Sequence, residues 1–214
     1  MRLKSFSLKN FRGYRDEVHI NMSDLTVFVG RNDIGKSTIL EALDIFFNDK
    51  GAISPMELAD VNKDAIASDD TETVFTAVFD NLPDSIIIDE TVSTTLHDEM
   101  LLDSKGCLTV VKKYQAAGKP KIFIKAKHPT NPNCNDLLLL KIADLKKKAN
   151  GLECQDRTKK AFLRKSIWNH YANDLQLAED EIDTTGDGLK DIWQKLDLYM
   201  PIYSLFQSDR SNSD

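Results

Sequence analysis

The sequence predicts an α/β fold, because strand-like and helix-like segments both occur and a glycine-rich loop joins one of each. The run LTVFVG, residues 25–30, is apolar almost throughout and ends in glycine, as a strand buried on both faces does. Residues 37–47 then carry apolar side chains at helical spacing. Further segments follow, strand-like at residues 72–80, 85–90, 107–115 and 121–128, and helical at residues 135–149, 157–177 and 188–198.

Length and composition are those of a globular domain. The chain of 214 residues is 41% hydrophobic and 29% charged, which is enough apolar content for a core. Its formal net charge of −6 argues against a protein whose whole surface binds nucleic acid. No run approaches the ~18 apolar residues of a membrane span, and no signal-peptide core is present. We therefore expect a cytoplasmic protein with no membrane partner, whose cysteines are reduced.

The remaining elements follow from local patterns. Residues 2–10 alternate apolar and polar side chains and fit an edge strand, and Val18 and Ile20 begin a second short strand. Residues 48–70 are polar and acidic and predict a surface excursion. The later strands are joined by short turns, which favour antiparallel pairing because parallel neighbours need a crossover of ~12 or more residues. Residues 201–206, PIYSLF, predict a final strand.

The stretch GRNDIGKST, residues 30–38, has every fixed residue of the pattern G-x-x-x-x-G-K-[ST], namely Gly30, Gly35, Lys36 and Ser37. Glycines let the backbone fold into a nest of N–H groups around phosphates, and the helix that follows adds its positive N-terminal end. In such a loop Lys36 reaches the β- and γ-phosphates and Ser37 binds Mg²⁺. The sequence therefore predicts that ATP and Mg²⁺ bind here.

A candidate for the metal-binding carboxylate of a hydrolase stands in SIIIDE, where Asp89 and Glu90 follow three isoleucines. A strand with that role should run parallel beside the strand before the loop and be reached through a helix. The preceding strand ends at Asp80, and the short link NLPD predicts a hairpin instead. We therefore favour a solvated strand end for Asp89 and Glu90.

The opening LKSFSLKNFRGYRDEVHINMSDLTVFVGRNDIGKSTILEALDIFF, residues 3–47, resembles the first lobe of ABC-type ATPase heads of the RecF, SMC and OLD (overcoming lysogenization defect) group. Such heads have a strand, N-F-R-[GS], hairpin strands and then G-x-N-x-x-G-K-[ST]-[ST]. The close PIYSLFQSDR, residues 201–210, resembles the OLD-family ATP-dependent endonucleases in particular. The residues that match the opening pattern outside the loop's fixed positions are Asn10, Phe11, Arg12, Gly13 and Asn32.

This resemblance implies a P-loop NTPase fold of ABC-ATPase type, with a mixed sheet, an antiparallel β-subdomain and a helical segment behind it. Residues 1–128 would form the lobe with the loop and the β-subdomain, and residues 129–200 the helical segment. Residues 201–214 would form a return strand and the start of a lobe-junction loop. Because no L-S-G-G signature, later strand ending in Asp-Glu or switch histidine can be placed, we expect an incomplete head from a longer protein.

The resemblance also implies roles for individual residues. Arg12 is expected against the nucleotide phosphates, with an exposed arginine in a turn as the alternative. Gln207 is the candidate for the glutamine that senses Mg²⁺ and the γ-phosphate, which makes it the one candidate catalytic residue. Ser37 and Gln207 are the expected metal ligands. The expected nucleotide-binding set is Arg12, Gly30, Arg31, Asn32, Asp33, Ile34, Gly35, Lys36, Ser37 and Thr38.

The implied function is ATP binding coupled to dimerisation of ATPase heads and to action on DNA, in repair, recombination or anti-phage defence. Expected partners are DNA through the full-length protein, a homodimer or higher oligomer of heads, and a partner protein. A nuclease is expected outside this chain, and the chain alone should bind ATP with little turnover. Two alternatives stay open: a self-contained P-loop ATPase or switch that uses Asp89 and Glu90, and an ATP-regulated protein-binding module without nuclease.

Basic residues of the helical segment allow a local patch for the DNA backbone, although a solvated helix face is the commoner explanation for such a run. The residues concerned are Lys146, Lys147, Lys148, Lys159, Lys160, Arg164 and Lys165.

Overall fold

A computed structural model describes residues 1–30, 35–53, 55–89, 92–115, 118–186 and 189–206. Its eight strands are β1 (Arg2–Lys9), β2 (Val18–Asn21), β3 (Glu72–Asp80), β4 (Ile86–Asp89), β5 (Val92–Thr94), β6 (Leu108–Gln115), β7 (Lys121–Pro129) and β8 (Leu177–Asp183). Six of them form one sheet in the order β2-β1-β3-β6-β7-β8, and β4 pairs with β5 in a separate hairpin. Every pairing between these strands is antiparallel, as the short connections predict.

Five α-helices accompany the sheet in the described part of the chain: α1 (Lys36–Asn48), α2 (Lys63–Ala67), α3 (Ile142–Lys148), α4 (Lys160–His170) and α5 (Lys190–Asp197). Short 3₁₀ turns at Asp49–Gly51 and Leu58–Asp60 divide the excursion after α1. Helices α3 and α4 are shorter than the apolar spacing predicts, since α3 begins only at Ile142 and α4 ends at His170.

One face of the sheet carries the core. The register places Phe6 opposite Ala77, Ala77 opposite Val110 and Val110 opposite Ile124, so a single apolar row crosses four strands. Helix α1 covers this row, and its Phe46 ring meets the Phe6 ring edge to face at 5.7 Å between centroids. Each fully buried phenylalanine contributes roughly 2 kcal/mol through the hydrophobic effect. The apolar residues that α1 buries are Ile39, Ala42, Leu43, Ile45 and Phe46.

Two predictions for the N-terminal strands are wrong. Strand β1 does not lie at an edge, because β2 and β3 pair with its two sides. Residues 25–30 form no strand, and Leu25, Val27 and Val29 are 80%, 69% and 90% exposed. An apolar run stays buried as a strand only where other strands pair with it, and no strand of the described part pairs with this one.

The C-terminal third also differs from its sequence pattern. Residues 129–200, predicted as helical, contain β8, which pairs with β7 from Leu177 to Asp183 and extends the sheet by one strand. Its sequence LAEDEID lacks an apolar alternation because six of its seven residues are exposed. Residues 201–206 form no strand, and Ile202 and Phe206 are almost fully exposed.

Candidate nucleotide-binding site

The phosphate-loop motif ends at the start of α1. Gly35 adopts a left-handed conformation, with φ of +87°, and its carbonyl accepts the first helical hydrogen bond, from the Ile39 N–H, at 3.2 Å. The first turn of α1 contains no acidic side chain that would neutralise its positive end. The first N–H groups of an α-helix have no acceptor within the helix, and they are the type of donor that binds an anion.

The Lys36 ammonium crosses the loop and donates a hydrogen bond to the Gly30 carbonyl at 2.7 Å. This contact joins the first glycine of the motif to the lysine of the same motif. Ser37 is exposed and Thr38 half-buried in the same turn. Arg31, Asn32, Asp33 and Ile34 lie outside the described residues.

Tyr14, which the sequence analysis does not select, lies directly on the second glycine of the loop. Its hydroxyl donates to the Gly35 carbonyl at 3.3 Å. A Cβ built on Gly35 would lie 2.6 Å from that hydroxyl oxygen and 3.0 Å from two ring carbons. Glycine is therefore required at position 35 for two reasons, the positive φ and the contact with Tyr14. The contact joins residues far apart in sequence, and no local pattern indicates it.

Arg12 lies in the same tight turn as Tyr14. Phe11 and Tyr14 close the turn by donating to each other's carbonyl, both at 2.9 Å. Arg12, rather than Gly13, takes the positive φ in this turn, at +49°. The Arg12 Nε donates to the Asp60 carboxylate at 2.8 Å and its Nη1 to the Glu41 carboxylate of α1.

The two carboxylates raise the pKa of Arg12. Burial lowers this pKa, but the hydrogen bonds that Arg12 donates to Asp60 and Glu41 outweigh burial, so the pKa lies above its ordinary value. Glu41 follows Lys36 by five residues, about 8 Å along the helix axis. The structure therefore holds Arg12 beside the first turns of α1, on two partners that sequence analysis does not identify. Contact with phosphates stays a prediction.

The chemistry of Ser37 fits Mg²⁺, which takes oxygen ligands and usually shares them with waters and substrate phosphates. Gln207 and Glu90, and the side chain of Asp89, lie outside the described residues. Strand β4, which leads to Asp89, pairs antiparallel with β5 and not with the large sheet. Within the described residues, no group of three or more His, Cys, Asp or Glu side chains could hold a metal ion.

The predicted basic patch loses its only arginine. Arg164 is 1% exposed, and its Nε donates to the equally buried Glu99 carboxylate at 2.7 Å, so it cannot lie against a DNA backbone. The carboxylate of Glu99 explains this burial, because a buried guanidinium needs a charged partner. Other lysines of the set already lie against carboxylates: Lys147 on Asp144, Lys148 on Asp136 and Lys165 on Asp98.

A cavity of about 540 Å³ opens at the other end of α1. It is bordered by Asn48, Met56, Tyr114 and Ile122, among others, and its walls are mostly apolar. Because it shares no residue with the predicted nucleotide-binding set, it plays no part in the assignment of the loop.

The cysteines are free thiols, with Cys107 and Cys134 buried and Cys154 half-buried. Burial raises the pKa of the Cys134 thiol. None of the helices in the described ranges has the length and apolar content needed to span a bilayer.

Comparison with known proteins gives one match over the whole chain. A family model described as AAA ATPase domain matches residues 1–214. No curated protein matches the chain. Among solved structures, one from work on ATP-driven dimerization and DNA-stimulated activation of SMC ATPases is 17% identical and has a TM-score of 0.40, covering 58% of this chain and 69% of its own. The family match, with the helices and strands above, confirms the predicted α/β fold of P-loop NTPase type.

Proposed function

The chain belongs to the AAA ATPase domain family, and we propose that it is the ATP-binding N-terminal part of an OLD-like, RecF-like or SMC-like ATPase. In this proposal ATP binding drives dimerisation of ATPase heads and couples it to action on DNA, in repair, recombination or anti-phage defence. Any nuclease lies outside this chain. The finer assignment rests on the N-F-R-G and phosphate-loop motifs and on the PIYSLFQSDR close.

One observation carries the proposal: the motif lysine and both motif glycines meet at the positive end of α1. Lys36 reaches back to Gly30, Gly35 turns the chain into the helix, and no acidic residue occupies the first turn. A triphosphate has the charge and the acceptor oxygens that such an end binds. On binding, phosphate oxygens would replace the Gly30 carbonyl as the acceptor for the Lys36 ammonium.

Arg12 supports the proposal through its remaining donors. A guanidinium has five N–H groups, and the Asp60 and Glu41 contacts use Nε and Nη1. Further N–H groups of the same fork remain for a phosphate, and the two carboxylates fix the orientation of the fork. Arg12 would therefore bind the nucleotide while keeping its contacts with Asp60 and Glu41.

In the proposal, Ser37 and Gln207 bind the Mg²⁺ that accompanies ATP. This ion would neutralise phosphate charge in the bound nucleotide. Turnover by the chain alone is expected to be slow, because the remaining catalytic groups would come from elsewhere in the full-length protein or from a second head. The hairpin of β4 and β5 disfavours a self-contained ATPase built on Asp89 and Glu90, since that strand does not lie in the sheet that α1 covers.

Exposed apolar residues support association with another lobe or head. Leu25, Val27 and Val29 are exposed within a few residues of one another before the loop, and Ile202 and Phe206 are exposed near the other end of the described chain. Exposed apolar residues that form one patch mark a site of interaction with another protein surface.

The proposal is tested by measuring the mass of the protein in sedimentation experiments with and without MgATP. The wild type should associate on addition of MgATP, and Lys36→Ala should remain as it is without nucleotide. The matched control is Lys190→Ala, which also removes a lysine from the first position of a helix, α5, and should behave as the wild type.

Three outcomes separate the parts of the proposal. If MgATP binds to the wild type but leaves its mass unchanged, head dimerisation by this chain is wrong. If MgATP drives association but added DNA changes neither association nor turnover, an ATP-regulated protein-binding module replaces the DNA-acting ATPase. If Lys36→Ala associates on addition of MgATP as the wild type does, the loop is not the site through which ATP drives association.

A further inference from the structure

We propose that Tyr14 is a positioning residue of the phosphate loop, which orients the Lys36 backbone N–H by holding the Gly35 carbonyl. The inference rests on the proposed function, since it assigns to the same site a residue outside the motif. Tyr14 would not contact the reacting atoms. It would set how well the loop binds phosphates.

The peptide group between Gly35 and Lys36 is held at its carbonyl. The Gly35 carbonyl accepts two hydrogen bonds, from the Tyr14 hydroxyl at 3.3 Å and from the Ile39 N–H at 3.2 Å. In a planar trans peptide the C=O and the N–H point in opposite directions. Fixing the Gly35 carbonyl toward Tyr14 and the helix therefore fixes the Lys36 N–H in the opposite direction, away from the helix. Backbone N–H groups at this position of a helix are the type of donor that binds a phosphate.

Gly35 needs such support more than other residues do. Glycine at a positive φ has a wide choice of backbone conformations, so the orientation of its peptide group is not fixed by its own sterics. The Tyr14 ring removes this freedom by packing on the Gly35 Cα, so closely that a Cβ would collide with it. The ring restricts the glycine from one side, and the hydroxyl selects the orientation of the carbonyl.

The turn that carries Tyr14 is itself anchored. The Arg12 N–H donates to the Asp60 carbonyl at 2.6 Å, and the Asn62 side-chain amide donates to the Arg12 carbonyl at 2.7 Å. The Arg12 side chain adds the contacts to Asp60 and Glu41. The turn therefore has two contacts at the start of α1: Tyr14 contacts Gly35, which precedes the helix, and Arg12 contacts Glu41 within it.

The first experiment measures ATP and ADP affinity of Tyr14→Phe and Tyr14→Ala by calorimetric titration. Tyr14→Phe keeps the ring and loses the hydroxyl, and we expect about threefold weaker binding of both nucleotides. Tyr14→Ala loses both contacts, and we expect a loss of about tenfold or more. Tyr203→Phe is the matched control: its hydroxyl donates to the Leu40 carbonyl of the same helix at 2.9 Å, and it should bind nucleotide as the wild type does.

The second experiment separates positioning from general support of the fold. The ³¹P resonances of bound ADP should shift in Tyr14→Phe and stay in place in Tyr203→Phe, because only the first change moves donors at the phosphates. Gly35→Ala should lower the melting temperature less in the Tyr14→Ala background than in the wild type, since the collision with the ring is then absent and only the strain of a positive φ remains.

The outcomes distinguish this inference from the proposed function. If Lys36→Ala abolishes binding while Tyr14→Ala binds ATP as the wild type does, the role of Tyr14 is refuted and the loop assignment stands. If neither variant changes ATP binding, the proposed function fails first. Additive melting-temperature changes for Tyr14→Ala and Gly35→Ala would also count against the contact.

Discussion

The two ends of α1 are built in opposite ways. We call them the loop end, formed by Gly30, Gly35 and Lys36, and the buried end, formed by Phe46, Asp49 and Lys112. At the buried end the Lys112 ammonium, in a side chain only 4% exposed, donates to the Phe46 carbonyl at 2.7 Å and to the Asp49 carboxylate at 3.1 Å. At the loop end the first turn of α1 contains no acidic side chain of its own.

This difference between the two ends of α1 indicates that the contacts of the buried end stabilise the fold. A cation at a helix C-terminus opposes the negative end of the helix dipole, and Lys112 adds cation–π contact with the Phe46 ring at 5.0 Å. Tyr114 completes the cluster by donating to Asp49 at 3.0 Å. The buried end thus satisfies its polar groups within the protein. The loop end has the N-terminal N–H groups of the helix, which are the type of donor that binds an anion.

The largest effect on stability is expected from Lys112→Ala. Removing this ammonium leaves the Phe46 carbonyl and the half-exposed Asp49 carboxylate without their cation, which should cost about 2–3 kcal/mol of unfolding free energy. Its neighbour Lys113 pairs with Glu181 on the other face, and Lys113→Ala should cost less than about 1 kcal/mol. Urea unfolding measures both, and ATP affinity should be unchanged in each. A Lys112→Ala protein as stable as Lys113→Ala would show that the buried end is not built as described.

A smaller effect is expected from the turn at the loop end. Arg12→Ala loses the contacts to Glu41 and Asp60 and should cost about 1 kcal/mol, together with weaker ATP binding. Arg12→Gly loses the same contacts but tolerates φ of +49°, so it should be more stable than Arg12→Ala by about 0.5 kcal/mol. Thermal unfolding compares the two, with Arg15→Ala as a control on an exposed arginine nearby. Equal stability of the alanine and glycine variants would mean that the positive φ is not strained.

The loop end was predictable from sequence because its signal is local. The motif, the helix after it and the strands β3, β6 and β7 all follow from residue spacing within a few turns or one strand. The α/β class follows from the same patterns. The prediction for residues 25–30 failed because burial there depends on distant residues. An apolar run shows that a segment could be buried, but it does not show whether another strand pairs with it.

Contacts between distant residues account for the rest of what was missed. Nothing near Tyr14 in sequence indicates Gly35, and nothing near Arg164 indicates Glu99. Both contacts depend on how β1, α1 and α4 are brought together by the sheet. Strand β8 was missed because an edge strand with exposed faces needs no apolar alternation.

The smallest expected effect is a dependence of unfolding free energy on pH, which comes from His128 in the core and not from the loop end. Burial lowers the pKa of His128, although its hydrogen bond to the Met100 carbonyl opposes this. Above the ordinary pKa of ~6.5 the side chain is neutral in both states and the full stability is present. As pH falls through that value the unfolded chain binds a proton that the folded protein does not, so stability decreases.

The expected loss between about pH 7 and about pH 6 is at most about 0.7 kcal/mol for this residue. His128→Gln should show a flatter dependence of unfolding free energy on pH over this window, and His97→Gln, at an exposed position, should keep the wild-type slope. An identical slope in all three proteins would mean that His128 is protonated as easily in the folded protein as in the unfolded chain.

Isothermal titration of MgATP tests most directly whether the loop at the start of α1 binds a nucleoside triphosphate. The wild type should bind one ATP per chain, and Lys36→Ala should lose at least about a hundredfold in affinity while its melting temperature without nucleotide stays unchanged. Wild-type affinity in a correctly folded Lys36→Ala protein would contradict the account.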